Sequence, residues 1–239
     1  MSFPVLLSFQ KFAGFRLLRG KQNIIFTSIG MKKRIDTTQW IRKEHYHFFS
    51  QFEEPFFGVT VYIDCTKAYE AAQQKECSFF LYYLYRALKV ANGIENFRYR
   101  IVEKDVYLFN QVNASPTIKR PNGTFGFAYM DYNADEAVFY ETALRETARV
   151  QQSLDLLPAI AGDENVMHFS AIPWLDFTAL SHARRFAFPD SSPKISFGKI
   201  TENNGTKTMP VAVHVHHALA DGYHIGLFVE KFQELLHEG

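Results

Sequence analysis

Residues 213–226, VHVHHALADGYHIG, contain four of the chain's nine histidines, together with one aspartate and two glycines. Imidazole is the usual proton acceptor near neutral pH and also a common metal ligand, so this stretch could serve either chemistry. The alternating pattern TMPVAVHVHH predicts a strand before the cluster, and DGYHIGLFVEKFQELL predicts an amphipathic helix after it. The histidines therefore lie at a strand-to-helix corner.

One interpretation of the cluster is a metal site. His214 and His216 are two residues apart on a predicted strand, so both side chains point to one face and could share a zinc ion with a third ligand. His217 points to the opposite face, and no third ligand is evident in the sequence. We therefore expect no bound metal. The alternative for His214, His216 and His224 is an ordinary structural role.

A third interpretation concerns His217 and Asp221. The spacing His-x-x-x-Asp-Gly places the last histidine of the strand just before the first turn of the helix. An imidazole there can act as a general base, while Asp221 fixes the corner and Gly222 allows a tight backbone. The spacing favours catalysis without establishing it.

The rest of the chain predicts strands and helices that alternate irregularly. Helices are expected at 66–76, with Thr66 as a cap, at 78–93, with Ser78 as a cap, and at 134–154. A hairpin is expected over 97–110, turning near residues 103–105. Further strands are expected in the segments 56–65, 124–133, 167–177 and 194–200. This pattern is typical of α+β or mixed α/β proteins with helices packed against a large sheet.

Composition excludes several classes of protein. A chain of 239 residues with 47% hydrophobic residues can form one substantial core. A net charge of +1 argues against a nucleic-acid binder, and no apolar run reaches the roughly 18 residues of a membrane span. Cys65 and Cys77 lack metal-site spacing and are expected to be buried thiols of a reduced, cytoplasmic protein.

Residues 1–30 differ from the rest of the chain. They contain Lys11, Arg16, Arg19 and Lys21 but no acidic residue, which is compatible with a targeting segment or a basic amphipathic helix. The apolar stretch is short and precedes its charges, and a second methionine stands at position 31. We expect residues 1–30 to be an extension outside the core, and residues 31–239 to form a single domain.

Four segments in order resemble the trimeric chloramphenicol acetyltransferases of the CoA-dependent acyltransferase superfamily. HHALADGYH resembles the superfamily's His-His-x-x-x-Asp-Gly signature. The others are WIRKEHYHFF (40–49), FSAIPWLDFT (169–178) and ISFGKI (195–200), which resemble Trp-x-Arg-x-Glu-His-Phe, Ser-x-x-Pro-Trp-x-x-Phe and Thr-x-Gly/Ala-Lys. The resemblance covers about residues 31–239. It implies a two-layer α/β sandwich with a mixed sheet, and a homotrimer whose site lies between subunits.

The resemblance also implies a reaction, the acetylation of chloramphenicol by acetyl-CoA without an acyl-enzyme. His217 matches the family's general base, and Ser170 matches the serine that donates to the oxyanion of the tetrahedral intermediate. Ser196 stands where the family has a threonine that holds a water at the intermediate. Asp221 and Arg42 match a buried structural ion pair rather than a catalytic relay. Acetyl-CoA is thus a co-substrate, and no permanently bound cofactor is implied.

The acceptor pocket implied by the resemblance is mainly aromatic, but it departs from the family pattern. Phe49 replaces a tyrosine, Phe127 a small residue and His182 a leucine, which alters the space available to chloramphenicol. On the CoA side Trp174 is retained, whereas Ile200 replaces an aromatic residue. The matched pocket positions are Phe48, Phe49, Phe125, Phe127, Leu157 and His182.

Other functions fit parts of the same pattern. An acyltransferase of the dihydrolipoamide-complex type would share the final motif, but it would also need lipoyl-bearing and subunit-binding regions. An acetyltransferase for another hydroxyl compound, or a binding protein that has lost turnover, would share the fold. The joint presence of His217, Ser170, Arg42 and Asp221 argues against the binding protein.

Overall fold

The computed structural model describes residues 32–157, 164–184 and 190–238. The extension expected over residues 1–30 lies outside these ranges. Within them, none of the helices has the length and apolar character needed to cross a membrane.

The described chain forms ten strands and six helices. The strands are β1 (Lys32–Arg34), β2 (Phe56–Asp64), β3 (Tyr99–Val102), β4 (Asp105–Phe109), β5 (Asn113–Lys119), β6 (Phe125–Phe127), β7 (Val166–Ala171), β8 (Lys194–Phe197), β9 (Thr201–Asn203) and β10 (Thr206–His216). The helices are α1 (Lys43–Phe49), α2 (Thr66–Gln74), α3 (Phe79–Gly93), α4 (Glu95–Arg98), α5 (Glu136–Gln152) and α6 (Gly222–Glu238).

The main sheet is mixed and has seven strands. Its order is β2-β10-β8-β7-β5-β6, and β9 pairs with β10 beyond the end of β8. Strand β7 runs parallel to both of its neighbours, and the other pairs are antiparallel. A smaller antiparallel sheet, β1-β4-β3, lies beside it. The expected sandwich with a mixed sheet is confirmed.

One face of the main sheet is apolar and packs on the helices. Strand residues alternate between faces, so the register aligns rows across the sheet, such as Val61, Val211 and Phe197. These rows pack against α2, α3 and α6, while α5 covers β5 and β6. The interior of α3 is buried on nearly every side, as its composition predicts. Burial of this layer is the main source of stability.

The opposite face of the sheet is polar. One register row runs through Thr60, Ala212, Ser196 and Ser170. The adjacent row contains Gly58, His214, Lys194, His168 and Ser115. Position 58 accepts only glycine, because a Cβ atom there would lie 2.2 Å from the His214 ring.

A segment without regular structure, residues 172–184, crosses this polar face. Asp176 accepts a hydrogen bond from Tyr62 (3.0 Å), and the Leu180 carbonyl lies 3.1 Å from His214 Nε2. At the far edge, Arg184 pairs with Glu54 at 2.8 Å. The segment thereby buries polar side chains of the sheet that would otherwise face solvent.

The expected elements are found, but several details differ, and the strands expected over 124–133 and 167–177 end early, at Phe127 and Ala171. Thr66 is the first helical residue rather than the cap; the Asp64 carboxylate binds its N–H (2.9 Å) and hydroxyl (2.7 Å). Ser78 occupies the cap position of α3 without a side-chain cap bond. Cys77 is only half-buried, whereas Cys65 is fully buried and its burial raises its pKa to about 12. Strands β1, β5 and β9 and helices α1 and α4 were not expected from the sequence.

Candidate active site

The His217 side chain lies just beyond the end of β10, between two aromatic rings. Phe49 stacks on its imidazole with centroids 3.9 Å apart and planes at 12°, and Phe57 lies on it at 4.4 Å and 35°. The His217 N–H donates to the Pro55 carbonyl at 2.8 Å, which holds the residue against the start of β2. Its Nδ1 atom is buried and has no hydrogen-bond partner among the described residues. The ring is therefore held in a fixed, largely apolar slot.

Arg42 links helix α1 to the turn that carries His217. Its Nη1 atom donates to Asp221 Oδ2 at 2.8 Å, and its Nη2 atom donates to the His217 carbonyl at 3.2 Å. The predicted ion pair is present, and Arg42 is buried. Asp221 also accepts from the Tyr223 N–H at 3.1 Å, which caps the start of α6. The pair fixes the backbone around His217 rather than touching its ring.

His224 contacts the second oxygen of the same carboxylate. Its Nδ1 atom lies 2.8 Å from Asp221 Oδ1. Burial alone would raise the pKa of Asp221, but the hydrogen bond from Arg42 and the charges of His224 and Arg42 lower it to about 2. The carboxylate is thus ionised at neutral pH and held between a guanidinium and an imidazole.

Ser170 and Ser196 are direct neighbours on β7 and β8. They form one register pair, so both hydroxyls lie on the polar face of the sheet. Ser196 is fully buried, and its Oγ has no hydrogen-bond partner among the described residues. Ser170 is half-buried and likewise makes no side-chain hydrogen bond within that part of the chain. Both hydroxyls are free to bind a reacting group.

The two sets of predicted catalytic residues are far apart in one chain. Ser170 lies two strands from Ala212 on β10, and His217 follows Ala212 by five residues. At about 3.3 Å per residue along a strand and about 4.8 Å between strands, the Cα atoms of Ser170 and His217 are roughly 19 Å apart. A base and an oxyanion donor must each lie within about 3 Å of the reacting atoms. One copy therefore cannot bring both to a single substrate.

The predicted pocket residues also fall into two groups, one beside His217 and the other on and beside β6. Phe48 and Phe49 lie in α1, and their rings meet edge-to-face with centroids 5.0 Å apart. The Phe49 ring also stacks on His217. Phe125 and Phe127 lie on β6, where Phe127 pairs with Thr117. The Phe127 N–H donates to the Leu156 carbonyl at 2.8 Å, which brings Leu157 beside it. Phe48, Phe125 and Leu157 are exposed in the single chain.

His182 lies on the polar face, against His214. The two rings meet edge-to-face with centroids 4.8 Å apart. Burial, followed by the neighbouring charges of His214 and Lys194, lowers the pKa of His182 to about 4. It is therefore a neutral imidazole at the position where the resemblance implies leucine. No group of three or more His, Cys, Asp or Glu side chains suited to a metal ion occurs in the described ranges, and the expected absence of a metal stays a prediction.

The buried histidines make stability depend on pH. Burial lowers the pKa of both His168 and His216 from 6.5 to about 4. The unfolded chain then binds protons more readily than the folded one between pH 6.5 and 4, so stability falls as the pH decreases through this window. We expect each group to lower the free energy of unfolding by about 2 kcal/mol at pH 5 relative to pH 8.

Urea denaturation at several pH values tests this expectation. The His168→Gln variant should show a shallower decline in stability between pH 8 and pH 5 than the wild type. A variant at the exposed His47, His47→Gln, is the matched control and should keep the wild-type slope. Equal slopes for all three proteins would show that His168 does not titrate abnormally.

A cavity of about 580 Å³ lies beyond the ends of β7 and β8, between the sheet and helices α3 and α5. Ala171, which follows Ser170, forms part of its wall together with Trp174 and Ile200. Lys119 and Lys199 line it as well, and Lys119 Nζ lies 5.4 Å from the Trp174 ring centroid. An apolar cavity with two ammonium groups suits a ligand that has both an apolar chain and phosphates.

Sequence reasoning missed some residues of these surfaces. Phe57 contacts the His217 ring, but in the sequence it is only one aromatic residue of a strand. Lys119 lies on β5, which was not expected, so its place in the cavity could not be foreseen. Lys199 stands inside the quoted segment ISFGKI and could have been singled out with Trp174.

Comparisons with known proteins identify the family. The family described as "Chloramphenicol acetyltransferase" matches residues 31–233. A chloramphenicol acetyltransferase of Bacillus pumilus is 27% identical over 207 residues, which are 86% of this chain and 94% of that protein. One from Proteus mirabilis is 28% identical over 206 residues, with the same two shares.

Solved structures show the same relationship. A chloramphenicol acetyltransferase structure matches with a TM-score of 0.80 and 33% identity, over 86% of this chain and 100% of that one. A probable dihydrolipoamide acetyltransferase from Listeria monocytogenes matches with a TM-score of 0.62 and 10% identity, over 82% and 89% of the two chains, which indicates a shared fold alone. The chain belongs to the chloramphenicol acetyltransferase family.

Proposed function

We propose that the protein transfers the acetyl group of acetyl-CoA to a hydroxyl group of chloramphenicol. The observation that carries the proposal is the family match across residues 31–233. The four motif segments within that range contain His217, Ser170, Ser196, Arg42 and Asp221 at the family's spacing. The dihydrolipoamide-type alternative is not favoured, because the similarity to those enzymes is confined to the fold.

In the proposed mechanism His217 is the general base. It removes the proton from the acceptor hydroxyl as the oxygen attacks the thioester carbonyl. The negative charge that develops on the carbonyl oxygen is stabilised by the Ser170 hydroxyl. When the intermediate collapses, the carbon–sulfur bond breaks and the thiolate takes the proton from the imidazolium. The products are an acetyl ester and free CoA.

The role of Ser196 is proposed as support for this intermediate. Its hydroxyl, which no described residue hydrogen-bonds, lies beside Ser170 on the same face, so it can hold a water molecule or bind the intermediate directly. The family's threonine would add only a methyl group at this point. The loss of that methyl group leaves the hydrogen-bonding function intact.

The large cavity beside Ser170 is the proposed binding site for acetyl-CoA. Its apolar walls suit the pantetheine chain, and Trp174 offers a flat surface to it. Lys119 and Lys199 can pair with phosphate groups. Ala171, which follows Ser170 in β7, lines the cavity, so a ligand bound there reaches the end of the strand that carries the Ser170 hydroxyl.

The proposed active site is completed by a second copy of the chain. The separation of roughly 19 Å between the Cα atoms of Ser170 and His217 supports an arrangement in which the two residues come from different copies. The aromatic residues that are exposed in the single chain, such as Phe48 near His217 and Phe125 on β6, would be covered in that assembly. We propose a homotrimer, as the family resemblance implies, and a cytoplasmic location, where acetyl-CoA is available.

The proposed acceptor pocket is narrower than the family pattern because of Phe127. This residue lies in the register row that leads through Thr117 towards Ser170. Overfilling a packed site typically costs about 1–3 kcal/mol. We therefore expect Phe127→Ala to lower the KM for chloramphenicol by about 5- to 150-fold, with little change in the KM for acetyl-CoA. An unchanged KM for the drug would show that Phe127 does not contact it.

Steady-state thiol release with acetyl-CoA and chloramphenicol tests the proposed function. Release that depends on the drug, together with an acetylated product identified by mass spectrometry, is the expected result. If acetyl-CoA binds but no thiol is released, chloramphenicol is not the acceptor. A panel of other hydroxyl compounds then separates another acetyltransferase from a binding protein.

A further inference from the structure

The turn that carries His217, residues 217–221, is organised around the preceding histidine. Three consecutive amide groups of this turn donate hydrogen bonds to His216. The Leu219 and Ala220 N–H groups donate to the His216 carbonyl at 2.9 and 3.1 Å. The Ala218 N–H donates to Nδ1 of the His216 ring at 3.3 Å. His216 therefore accepts hydrogen bonds from most of the backbone N–H groups of the turn.

These hydrogen bonds are not replaceable by solvent. Ala218, Leu219 and Ala220 are all at most 2% exposed, and His216 is 6% exposed. A buried backbone N–H that loses its partner destabilises the conformation that buries it. The Ala218 N–H thus needs the ring nitrogen, because the His216 carbonyl already serves the next two amides.

The His216 ring is held in the orientation that this contact needs. Its edge meets the Phe56 ring at a centroid distance of 5.4 Å and an angle of 70°. Burial, followed by the charge of Arg184, lowers its pKa to about 4. The ring is therefore neutral at neutral pH, and its Nδ1 keeps the lone pair that accepts the Ala218 N–H.

We propose that His216 is a positioning residue for the base, which orients His217 by accepting the Ala218 N–H with Nδ1. Ala218 directly follows His217, so the bond fixes the backbone on one side of the base, while the Pro55 carbonyl fixes the other. The adjacent histidines then have separate tasks: His217 takes the proton, and His216 sets where its ring points.

The proposal rests on the proposed acetyl transfer, and two substitutions at one position test it. Asparagine can present its side-chain oxygen near the place of Nδ1, whereas leucine fills similar space without an acceptor. We expect His216→Leu to lower kcat about 10- to 100-fold with an unchanged KM for acetyl-CoA, because small displacements of a base have effects of this size. His216→Asn should restore kcat to within about threefold of the wild type.

Two kinetic outcomes would overturn the proposal. Wild-type kcat in His216→Leu would show that the acceptor is not needed. Equal losses in the leucine and asparagine variants would show that the shape of the ring, rather than its nitrogen, is what the turn requires.

A third measurement is independent of substrate and of any variant that fails to fold. In wild-type protein with ¹⁵N-labelled histidine, the His216 ring should show an unprotonated Nδ1 and a proton on Nε2 at pH 7.5. A proton on Nδ1 would contradict the proposal. If the wild type does not acetylate chloramphenicol, the proposed function fails, and the ring measurement still decides whether His216 Nδ1 can accept the Ala218 N–H.

Discussion

Replacement of His217 by alanine is expected to lower kcat by at least about 10²–10⁴-fold, because a hydroxyl is a poor nucleophile until a base takes its proton. The substitution removes a ring that stacks between Phe49 and Phe57. The Nδ1 atom of this ring makes no hydrogen bond to the described residues, so its loss leaves no partner unsatisfied. The hydrogen bonds of its backbone to Pro55 and Arg42 remain. The fold and the cavity near Trp174 should therefore be preserved. Steady-state kinetics and a binding isotherm for acetyl-CoA measure both effects.

His216→Ala is the matched comparison, since it changes the neighbouring histidine of the same strand. It should reduce kcat less than His217→Ala does, because His216 acts on the base and not on the substrate. A larger loss in His216→Ala than in His217→Ala would mean that the two roles are assigned to the wrong residues. Loss of acetyl-CoA binding in His217→Ala would instead indicate a general structural defect.

Ser170→Ala is expected to lower kcat by about 10²–10³-fold with a nearly unchanged KM for both substrates. The loss corresponds to roughly 3–4 kcal/mol of transition-state stabilisation, the usual effect of removing one oxyanion donor. A KM effect is not expected, because the negative charge that Ser170 stabilises is absent from the bound thioester. Full saturation curves for acetyl-CoA and chloramphenicol separate the two constants.

The control for this substitution is Ser115→Ala. Ser115 is a buried serine on the same face of the sheet, one register row away, beside His168. Its loss should leave kcat within about twofold, because it lies outside the row that leads to the reacting atoms. If both alanine variants lose activity to the same degree, the effect comes from the sheet rather than from an oxyanion donor.

Much of the fold could be predicted from the sequence because hydrophobic periodicity marks the long elements. The alternation in residues 206–216 and the helical face after Asp221 both appear where they were expected. Strand β5 was missed because it contains Pro116 and polar residues at both ends. Its position beside β7 depends on pairing with strands distant in sequence, which no local pattern reports. The role of the Asp64 carboxylate in binding the first residue of α2 was missed because Thr66, two residues further on, is itself a common capping residue.

The residues of the site were easier to predict than their arrangement. The family resemblance of the motifs that contain Asp221 and Arg42 implied an ion pair, which the structure contains at 2.8 Å. The separation of His217 from Ser170 follows from the strand register, which sequence motifs do not contain. The role of Phe57 depends in the same way on a contact between β2 and the end of β10. Both depend on contacts between strands that are distant in the sequence, and sequence motifs do not contain these contacts.

We propose that His217 of one copy acts with Ser170 of another. This proposal is tested most directly by mixing two inactive proteins, His217→Ala and Ser170→Ala, unfolding them together and refolding them. In any closed symmetric ring, random assembly gives about a quarter of the sites both intact residues. We expect the mixture to regain about a quarter of the wild-type turnover, far above either variant alone. Turnover no higher than the mean of the two variants would show that the base and the oxyanion donor belong to the same chain, which would contradict a site shared between copies.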